Sequence, residues 1–204
     1  MASALSKGSD GRARCWWGAS TPEYVRYHDE EWGRPVRDER GLYERMVLEG
    51  FQSGLSWLTI LRKRENFRAA FADFDIETVA TYGDRDVARL LGDAGIVRHR
   101  GKIEAAIANA KAAATMHANS ESLGDLIWSF APGGRRRAPR SLEDLPAVTP
   151  ESTALSKELK KRGFRFVGPT TAYATMQACG VVNDHLVGCW ARREVEALRS
   201  AAAR

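Results

Sequence analysis

The sequence predicts an all-α fold, and three observations support this. Apolar residues recur at helical spacing through most of the chain, as with Leu42, Met46 and Val47 in "DERGLYERMVLEG". Residues typical of helix starts and stops flank these segments. The sequence contains no internal repeat and no series of alternating strand-like segments. A length of 204 residues is enough for one substantial hydrophobic core.

The first helices follow from their caps. Asp38 is a suitable N-cap for the helix in "DERGLYERMVLEG", and "LSWLTILRKRENFRAAFADF" continues with the same texture. Short helices are expected to start at Asp75 and near Asp84, with Gly83 and Gly95 as C-terminal stops. The Ala-rich segment "RGKIEAAIANAKAAATM" then predicts a longer helix.

The segment 131–150 interrupts this pattern. It holds four of the seven prolines and the arginine run at 135–137, which indicates a surface loop. Thr149 and Pro150 are typical of an N-cap followed by proline in the first turn. We therefore expect a helix through "ESTALSKELKKRG", a turn at "FRFVG" and a further helix in "PTTAYATMQACG".

Composition narrows the class of protein. The net charge is +5, which is compatible with a polyanionic partner without requiring one. Three cysteines argue against a disulfide framework and for a reducing, cytoplasmic location. No apolar run approaches the roughly 18 residues that cross a bilayer, so no membrane partner is expected. We expect a monomer with a flexible basic tail at 1–13, a single domain at 14–190 and a C-terminal helical tail at 191–204.

The segment "NDHLVGC" places His185 and Cys189 four residues apart, which on a helix is one face. Cys15 and His28 are the obvious partners, and two thiolates with two imidazoles suit tetrahedral zinc. The alternative is a set of unrelated buried residues, because free cysteine is commonly buried. Cys179 in "MQACG" is better explained by packing.

A glycine-rich turn joins two expected helices in "LKKRGFRFVGPTTAYATMQACG". A basic helix end at 160–162 meets Gly163, and a new helix starts after Gly168. Glycine lets a ligand approach the backbone, and the N–H groups of a helix start bind phosphate oxygens. This pattern indicates a helix-hairpin-helix that grips DNA without reading its sequence. An ordinary helical hairpin with a glycine turn is the alternative.

Glu49 lies three residues after Met46 on the apolar stripe of its helix. A carboxylate there is costly unless it has a partner or a function. Trp57 follows shortly, and the N-terminal segment is crowded with aromatic residues: Trp16, Trp17, Tyr24, Tyr27 and Trp32. Such a set suits a flat ring with an exocyclic amino group. An aromatic core with Glu49 bonded to backbone N–H groups is the alternative.

Several long blocks together resemble one family. The segments "RCWW", "YHDEEWG", "LEGFQSGLSWLTILRKRENF", "DAGIVRHRGKIEAAIANA" and "KKRGFRFVGPTTAYATMQACGVVNDHLVGC" are similar to DNA-3-methyladenine glycosylase I, and the likeness runs from Arg14 to Cys189 in unbroken order. The resemblance implies a helical, helix-hairpin-helix glycosylase that acts on alkylated double-stranded DNA. It implies flipping of 3-methyladenine out of the duplex, hydrolysis of its N-glycosidic bond and release of the free base, without strand cleavage.

The resemblance also implies roles for residues. One structural zinc would be held by Cys15, His28, His185 and Cys189 and would join the N- and C-terminal segments. The base pocket would contain Glu49, Tyr27 and Trp57, with Trp17 as a weaker candidate, and Glu49 would be the catalytic residue. The DNA-binding hairpin would contain Gly163, Phe164, Arg165, Gly168 and Thr170.

Many helix-hairpin-helix glycosylases place a catalytic aspartate after the hairpin, but here Asn183 aligns with that position, and Asp184 is given no role. A cationic base is already a good leaving group, which makes this departure tolerable. His99, Arg100 and Lys102 could contact phosphates or form a solvated helix start. The arginine run could likewise approach DNA or stay solvated. The alternatives to a glycosylase of 3-methyladenine are a glycosylase of another damaged purine, a non-catalytic damaged-DNA-binding module and a zinc-stabilised interaction module.

Overall fold

The computed structural model describes residues 4–134 and 137–202, and most of this part of the chain is helical. The helices are α1 (Pro22–Glu30), α2 (Glu39–Gln52), α3 (Trp57–Ala70), α4 (Ile76–Ala80), α5 (Asp84–Gly92), α6 (Arg100–Ala118), α7 (Leu123–Ser129), α8 (Pro150–Lys161), α9 (Pro169–Ala178) and α10 (Arg192–Ala202). Short 3-10 turns cover Trp16–Ala19 and Ala72–Phe74. The predicted helical character of the chain is therefore confirmed.

Most of the predicted helix starts are confirmed by their caps. The Asp38 carboxylate accepts a hydrogen bond from the Gly41 N–H at 2.7 Å, and Asp75 caps α4 in the same way. Thr149 caps α8, with Pro150 in its first turn. The prediction for Gly83 was wrong: this residue is the N-cap of α5 and not a helix stop, because the Asp86 side chain accepts its N–H at 3.2 Å.

The expectation of a purely α-helical chain was wrong at the N-terminus. Strand β1 (Leu5–Lys7) pairs antiparallel with strand β2 (Ala13–Cys15), and Leu5 lies opposite Cys15. Part of the segment expected to be a flexible tail is thus a strand. Three-residue strands are too short to give the alternation by which a sheet is recognised in a sequence.

The buried residues form two cores. The larger one lies among α2, α3, α6 and α9, and contains Leu42, Phe51 and Ile103. The smaller one joins both ends of the described chain, with Cys15, Leu186, Cys189, Ala191 and Val195 at its centre. Because Val195 belongs to α10, this helix packs onto the rest of the protein through the smaller core.

The predicted surface loop is confirmed where the structure describes it. Residues 131–134 and 137–149 contain neither helix nor strand. Arg135 and Arg136 of the arginine run lie outside the described residues. Among the helices of the described segments, none has the length and apolar character needed to cross a membrane.

Candidate active site and metal centre

Glu49 is buried on α2, with 8% of its surface exposed. Met46 and Phe51 on the same helix are buried in the larger core, so the carboxyl group sits at the edge of that core. Within residues 4–134 and 137–202, no group donates a hydrogen bond to it. The alternative in which backbone N–H groups satisfy Glu49 is therefore not what the structure contains.

The Glu49 side chain faces a cavity of about 300 Å³, which is large enough for a purine ring. Helices α1, α2, α3 and α9, together with the first 3-10 turn, supply its walls. Most of the lining side chains are aromatic, and Glu49 is the acidic one among them; the lining residues are Trp16, Trp17, Tyr24, Tyr27, Trp32, Glu49, Gln52, Trp57, Leu145, Ala174 and Gln177.

The aromatic walls meet at close range. The Tyr27 and Trp57 ring centroids are 5.3 Å apart, with the rings tilted by 45°. Trp17 lies 6.1 Å from Tyr27 and packs edge-on against Trp32 at 5.1 Å. The Trp57 indole N–H is buried with no acceptor among the described residues. All three aromatic residues predicted for the pocket therefore line one cavity.

Burial alters the titration of two cavity groups. Desolvation raises the pKa of Glu49 to about 8, and the positive charge of Arg45 offsets this only in part. Desolvation and the neighbouring Glu49 also raise the pKa of Tyr27 well above its usual value. At pH 7 both groups therefore favour their neutral forms.

The four predicted metal ligands meet at one point. Single ligand atoms of Cys15, His28, His185 and Cys189 all lie within 4.8 Å of one another, and all four residues are buried. The Cys189 sulfur is 3.4 Å from both His28 Nε2 and His185 Nδ1, and the Cys15 sulfur is 3.8 Å from His185 Nδ1. Sulfur and nitrogen ligands on tetrahedral zinc are separated by about 3.5 Å. We call these four residues the Cys/His cluster.

The hydrogen bonds of the two histidines orient their lone pairs into the cluster. His28 Nδ1 lies 2.8 Å from the Asp29 carboxylate, and His185 Nε2 lies 3.1 Å from the Trp32 carbonyl. Both oxygens accept, so those ring nitrogens carry hydrogen, and in a neutral imidazole the lone pair then lies on the nitrogen that faces the thiols. Such outer partners are typical of histidines that ligate metal.

Neighbouring residues hold the cluster in place. Arg14 and the Trp190 indole donate to Asp29, and despite burial these bonds keep the pKa of Asp29 below its usual range. Gly18 packs against the His28 ring, and an added Cβ would come within 2.5 Å of it. The Leu186 N–H donates to the Cys15 sulfur at 3.4 Å. The residues present therefore fit a closed, four-ligand metal site.

The helical reason for pairing His185 with Cys189 was wrong. Residues 183–190 are not helical, and the two side chains converge through a turn with Gly188 at φ +89°.

The thiols of the cluster also influence each other: a hydrogen bond with Cys189 raises the pKa of Cys15, and the same bond lowers the pKa of Cys189. The cluster thus favours at least one thiolate.

The predicted hairpin joins α8 to α9. Gly163 has φ +94°, and Phe164 is buried in the larger core, where it anchors the turn. The Asn109 carboxamide holds Arg165 on both sides, accepting from its N–H at 2.7 Å and donating to its carbonyl at 3.0 Å. The side chains of Arg165 and Thr170 are exposed. The turn is thus bound to α6 through Asn109, and it exposes side chains near the start of α9.

Lys102 does not behave as a free basic group. Its ammonium donates to the carbonyls of Phe51 and Ser53, at 3.0 and 2.5 Å, and it is buried. It therefore caps the carboxyl end of α2, and the suggestion that it contacts phosphates was wrong. His99 is the N-cap of α6, and Arg100 pairs with Glu104 at 3.3 Å on the surface.

Asp184 lies outside the cavity lining and is 2% exposed. Its carboxylate accepts hydrogen bonds from the Tyr173 hydroxyl at 2.5 Å and from the Gln177 amide at 2.8 Å. Asn183 donates to the Arg192 carbonyl at 3.1 Å. The side chains of Asp184 and Asn183 are thus both engaged in hydrogen bonds to other parts of the protein.

Three polar residues of the cavity were not predicted to lie there. Tyr24, Gln52 and Gln177 all line it. Tyr24 stood among the crowded aromatic residues, which was a usable signal, and its hydroxyl accepts the Leu58 N–H at 3.0 Å. Gln177 carries no local signal, since only the packing of α9 against α2 brings it to the cavity.

A helical fold with an aromatic cavity, and in it a carboxyl group that has no donor among the described residues, is typical of proteins that bind a flat, amino-bearing ring. Comparison with known proteins gives the family: residues 16–193 match the methyladenine glycosylase family, and the chain belongs to it. It is 52% identical over 181 residues to DNA-3-methyladenine glycosylase 1 of Escherichia coli K12, covering 86% of this chain and 95% of that protein.

Solved structures agree with this assignment. One of 3-methyladenine DNA glycosylase I has a TM-score of 0.84 and 53% identity, covering 87% of this chain and 98% of the other. Another is a tyrosine-to-phenylalanine variant of that enzyme in complex with 3-methyladenine. It has a TM-score of 0.83 and 36% identity, and the match covers 88% of this chain and 97% of the other.

Proposed function

We propose that this protein is a monofunctional DNA glycosylase that removes 3-methyladenine from alkylated DNA by hydrolysing its N-glycosidic bond, the first step of base-excision repair. The observation that carries the proposal is the buried Glu49 carboxyl group, which accepts no hydrogen bond from residues 4–134 or 137–202 and faces an aromatic cavity. Membership of the methyladenine glycosylase family supports it. So does the complex of a related enzyme with 3-methyladenine.

Recognition follows from the charge of the lesion. 3-Methyladenine in DNA is a cation, and π faces attract cations. Tyr27 and Trp57, with their rings 5.3 Å apart, supply these faces, and Trp17 extends the wall. Glu49 accepts a hydrogen bond from the exocyclic amino group. The positive ring brings an opposite charge beside Glu49, which lowers its pKa from about 8, so that the carboxyl group ionises as the base binds.

The same charge explains catalysis without an aspartate after the hairpin. As the bond between C1′ and N9 breaks, its electron pair passes to the ring, which leaves as the neutral base. The positive charge moves to C1′, where water adds and loses a proton. An ionised Glu49 stabilises the positive charge as it moves from the ring to C1′, so we assign it as the catalytic residue. Removing the base from the stack supplies further rate.

We propose that the Cys/His cluster binds one structural zinc ion. The support is the distances among its ligand atoms and the two histidines whose lone pairs face inward. Four protein ligands leave no position for an activated water. The cluster residue His28 follows Tyr27 directly on α1, so the site fixes one wall of the cavity.

We propose that α8, the turn and α9 form a helix-hairpin-helix that binds the backbone of double-stranded DNA. Gly163 and Gly168 leave the turn open to phosphates, Arg165 and Thr170 are exposed, and Phe164 anchors the turn from within. An added Cβ on Gly163 or Gly168 meets no atom within 4 Å.

We infer that residues 14–190 form one glycosylase domain. The flanking segments pack on this domain: β1 pairs with β2, and Val195 of α10 is buried in the smaller core. The three cysteines are free and buried, which suits a monomer working beside the chromosome in a reducing cytoplasm.

The test is release of free bases from methylated duplex DNA by the zinc-loaded protein. We expect release of 3-methyladenine with little 7-methylguanine, and a large loss of rate for Glu49→Gln. The exposed Glu143→Gln is the matched control and should retain full activity. A folded protein that binds methylated DNA but releases no base would contradict the proposal and support a damaged-DNA-binding module.

A further inference from the structure

The cavity contains a carboxamide whose orientation the fold fixes. Gln177 on α9 lines it, one turn after Ala174, which lines it too. Helix α9 packs against α2, the helix that carries Glu49, so the two side chains approach the cavity from neighbouring helices.

The Gln177 carboxamide has a fixed orientation. Its Nε2 donates to the Asp184 carboxylate at 2.8 Å, and the Tyr173 hydroxyl donates to the same oxygen at 2.5 Å. Since a carboxylate only accepts, the amide nitrogen must point at Asp184 and the amide oxygen must point away. Asp184 is buried, which keeps this arrangement out of water.

The amide oxygen is the free end of Gln177. It has no hydrogen-bond donor among the described residues and is not enclosed by protein. Because Nε2 is turned to Asp184 and the side chain lines the cavity, the oxygen is the part of the carboxamide that faces the space.

We propose that Gln177 is a specificity-determining residue for the group at position 6 of the purine. This rests on the proposed function. An exocyclic amino group has two hydrogens: one bonds to Glu49 and the other to the Gln177 oxygen. A 6-oxo purine presents lone pairs at that position instead, and these face the Gln177 amide oxygen, which can only accept. Asp184 and Tyr173 are positioning residues, because they prevent the carboxamide from turning its NH₂ toward the base.

The consequence is a built-in discrimination against guanine-type and hypoxanthine-type lesions. An unpaired polar group in a binding site rejects the mismatched ligand more strongly than a lost apolar contact does. Tyr173 and Asp184 do not line the cavity, but they contribute to this discrimination because they fix the orientation of the Gln177 carboxamide.

The experiment measures binding of free 3-methyladenine and of its 6-oxo counterpart, 3-methylhypoxanthine, by calorimetry on the zinc-loaded protein. Wild type should prefer the amino base. Gln177→Met keeps the length of the side chain and removes the acceptor. It should weaken binding of 3-methyladenine by up to about tenfold, the upper end of what one neutral hydrogen bond contributes, without weakening binding of the 6-oxo base.

Asp184→Asn provides the second variant. It accepts either orientation of the Gln177 amide, and we expect it to improve binding of the 6-oxo base while the amino base is still bound. A folded Gln177→Met protein whose ratio of the two affinities equals that of wild type would overturn the inference. A folded, zinc-loaded wild type that binds neither base would instead overturn the proposed function.

Discussion

Replacing Glu49 by glutamine should change how stability depends on pH. In the folded protein the pKa of Glu49 is raised to about 8, while an unfolded chain has the ordinary value of 4.5. Below pH 4.5 both states hold the proton. Between 4.5 and 8 only the folded state holds it, so the free energy of unfolding decreases as pH rises.

The size of this effect follows from the shift. A difference of about 3.5 pH units at about 1.36 kcal/mol each gives an upper limit of about 5 kcal/mol. Water that enters the open cavity reduces this, and we expect a loss of about 2 kcal/mol between pH 5 and pH 9 that Glu49→Gln does not suffer. Between pH 5 and pH 9, the free energy of unfolding should therefore decrease less for Glu49→Gln than for wild type.

The assay is urea unfolding of the zinc-loaded proteins at half-unit steps from pH 5 to pH 9. The comparison uses the change of each protein's unfolding free energy with pH. Other titrating groups are common to both proteins, and the cost of burying an amide does not depend on pH, so both contributions cancel. Glu143→Gln, on the exposed loop, should follow wild type throughout. Parallel curves for wild type and Glu49→Gln would refute the view that Glu49 is a buried carboxyl group kept neutral by desolvation.

Three further predictions concern the cavity, the cluster and the hairpin. Binding of the free cationic base analogue 3,9-dimethyladenine should strengthen from pH 6 to pH 8 as Glu49 ionises more readily, which titration calorimetry in buffers of different ionisation enthalpy can detect; a flat profile would contradict proton release on binding. Cys189→Ser should lower zinc content and the free energy of unfolding by about 4 kcal/mol, as measured by metal analysis and urea unfolding; a zinc-replete, fully stable variant would refute the metal site. Gly168→Ala should weaken DNA binding and leave free-base binding unchanged, since a Cβ there meets no protein atom within 4 Å; equal effects on both would exclude a hairpin role.

Much of the candidate site could be predicted from the sequence because its residues are unusual for their positions. A glutamate on the apolar stripe of α2 stands out in a pattern of period 3.6, and the structure places it at a cavity. Scarce cysteines and histidines stand out in the same way. The four residues do meet, although His185 and Cys189 approach through a turn and not along a helix.

Other features depend on contacts between distant segments and left no local trace. The sequence around Lys102 indicated a basic surface residue, but in the structure its ammonium donates to two carbonyls at the end of α2. Gln177 reaches the cavity only because α9 packs on α2. Strand β1 has only three residues. It forms because it pairs with β2 and because Leu5 packs near Gly188, and neither contact can be read from a local sequence pattern.

The Cys/His cluster takes its residues from both ends of the polypeptide, and this sets the order in which the protein can mature. Cys15 and His28 leave the ribosome long before His185 and Cys189. Domains form during synthesis as their segments emerge, but the cluster cannot assemble until residue 189 has emerged. The wall of the cavity that carries Tyr27 therefore gains the support of the cluster only at that stage.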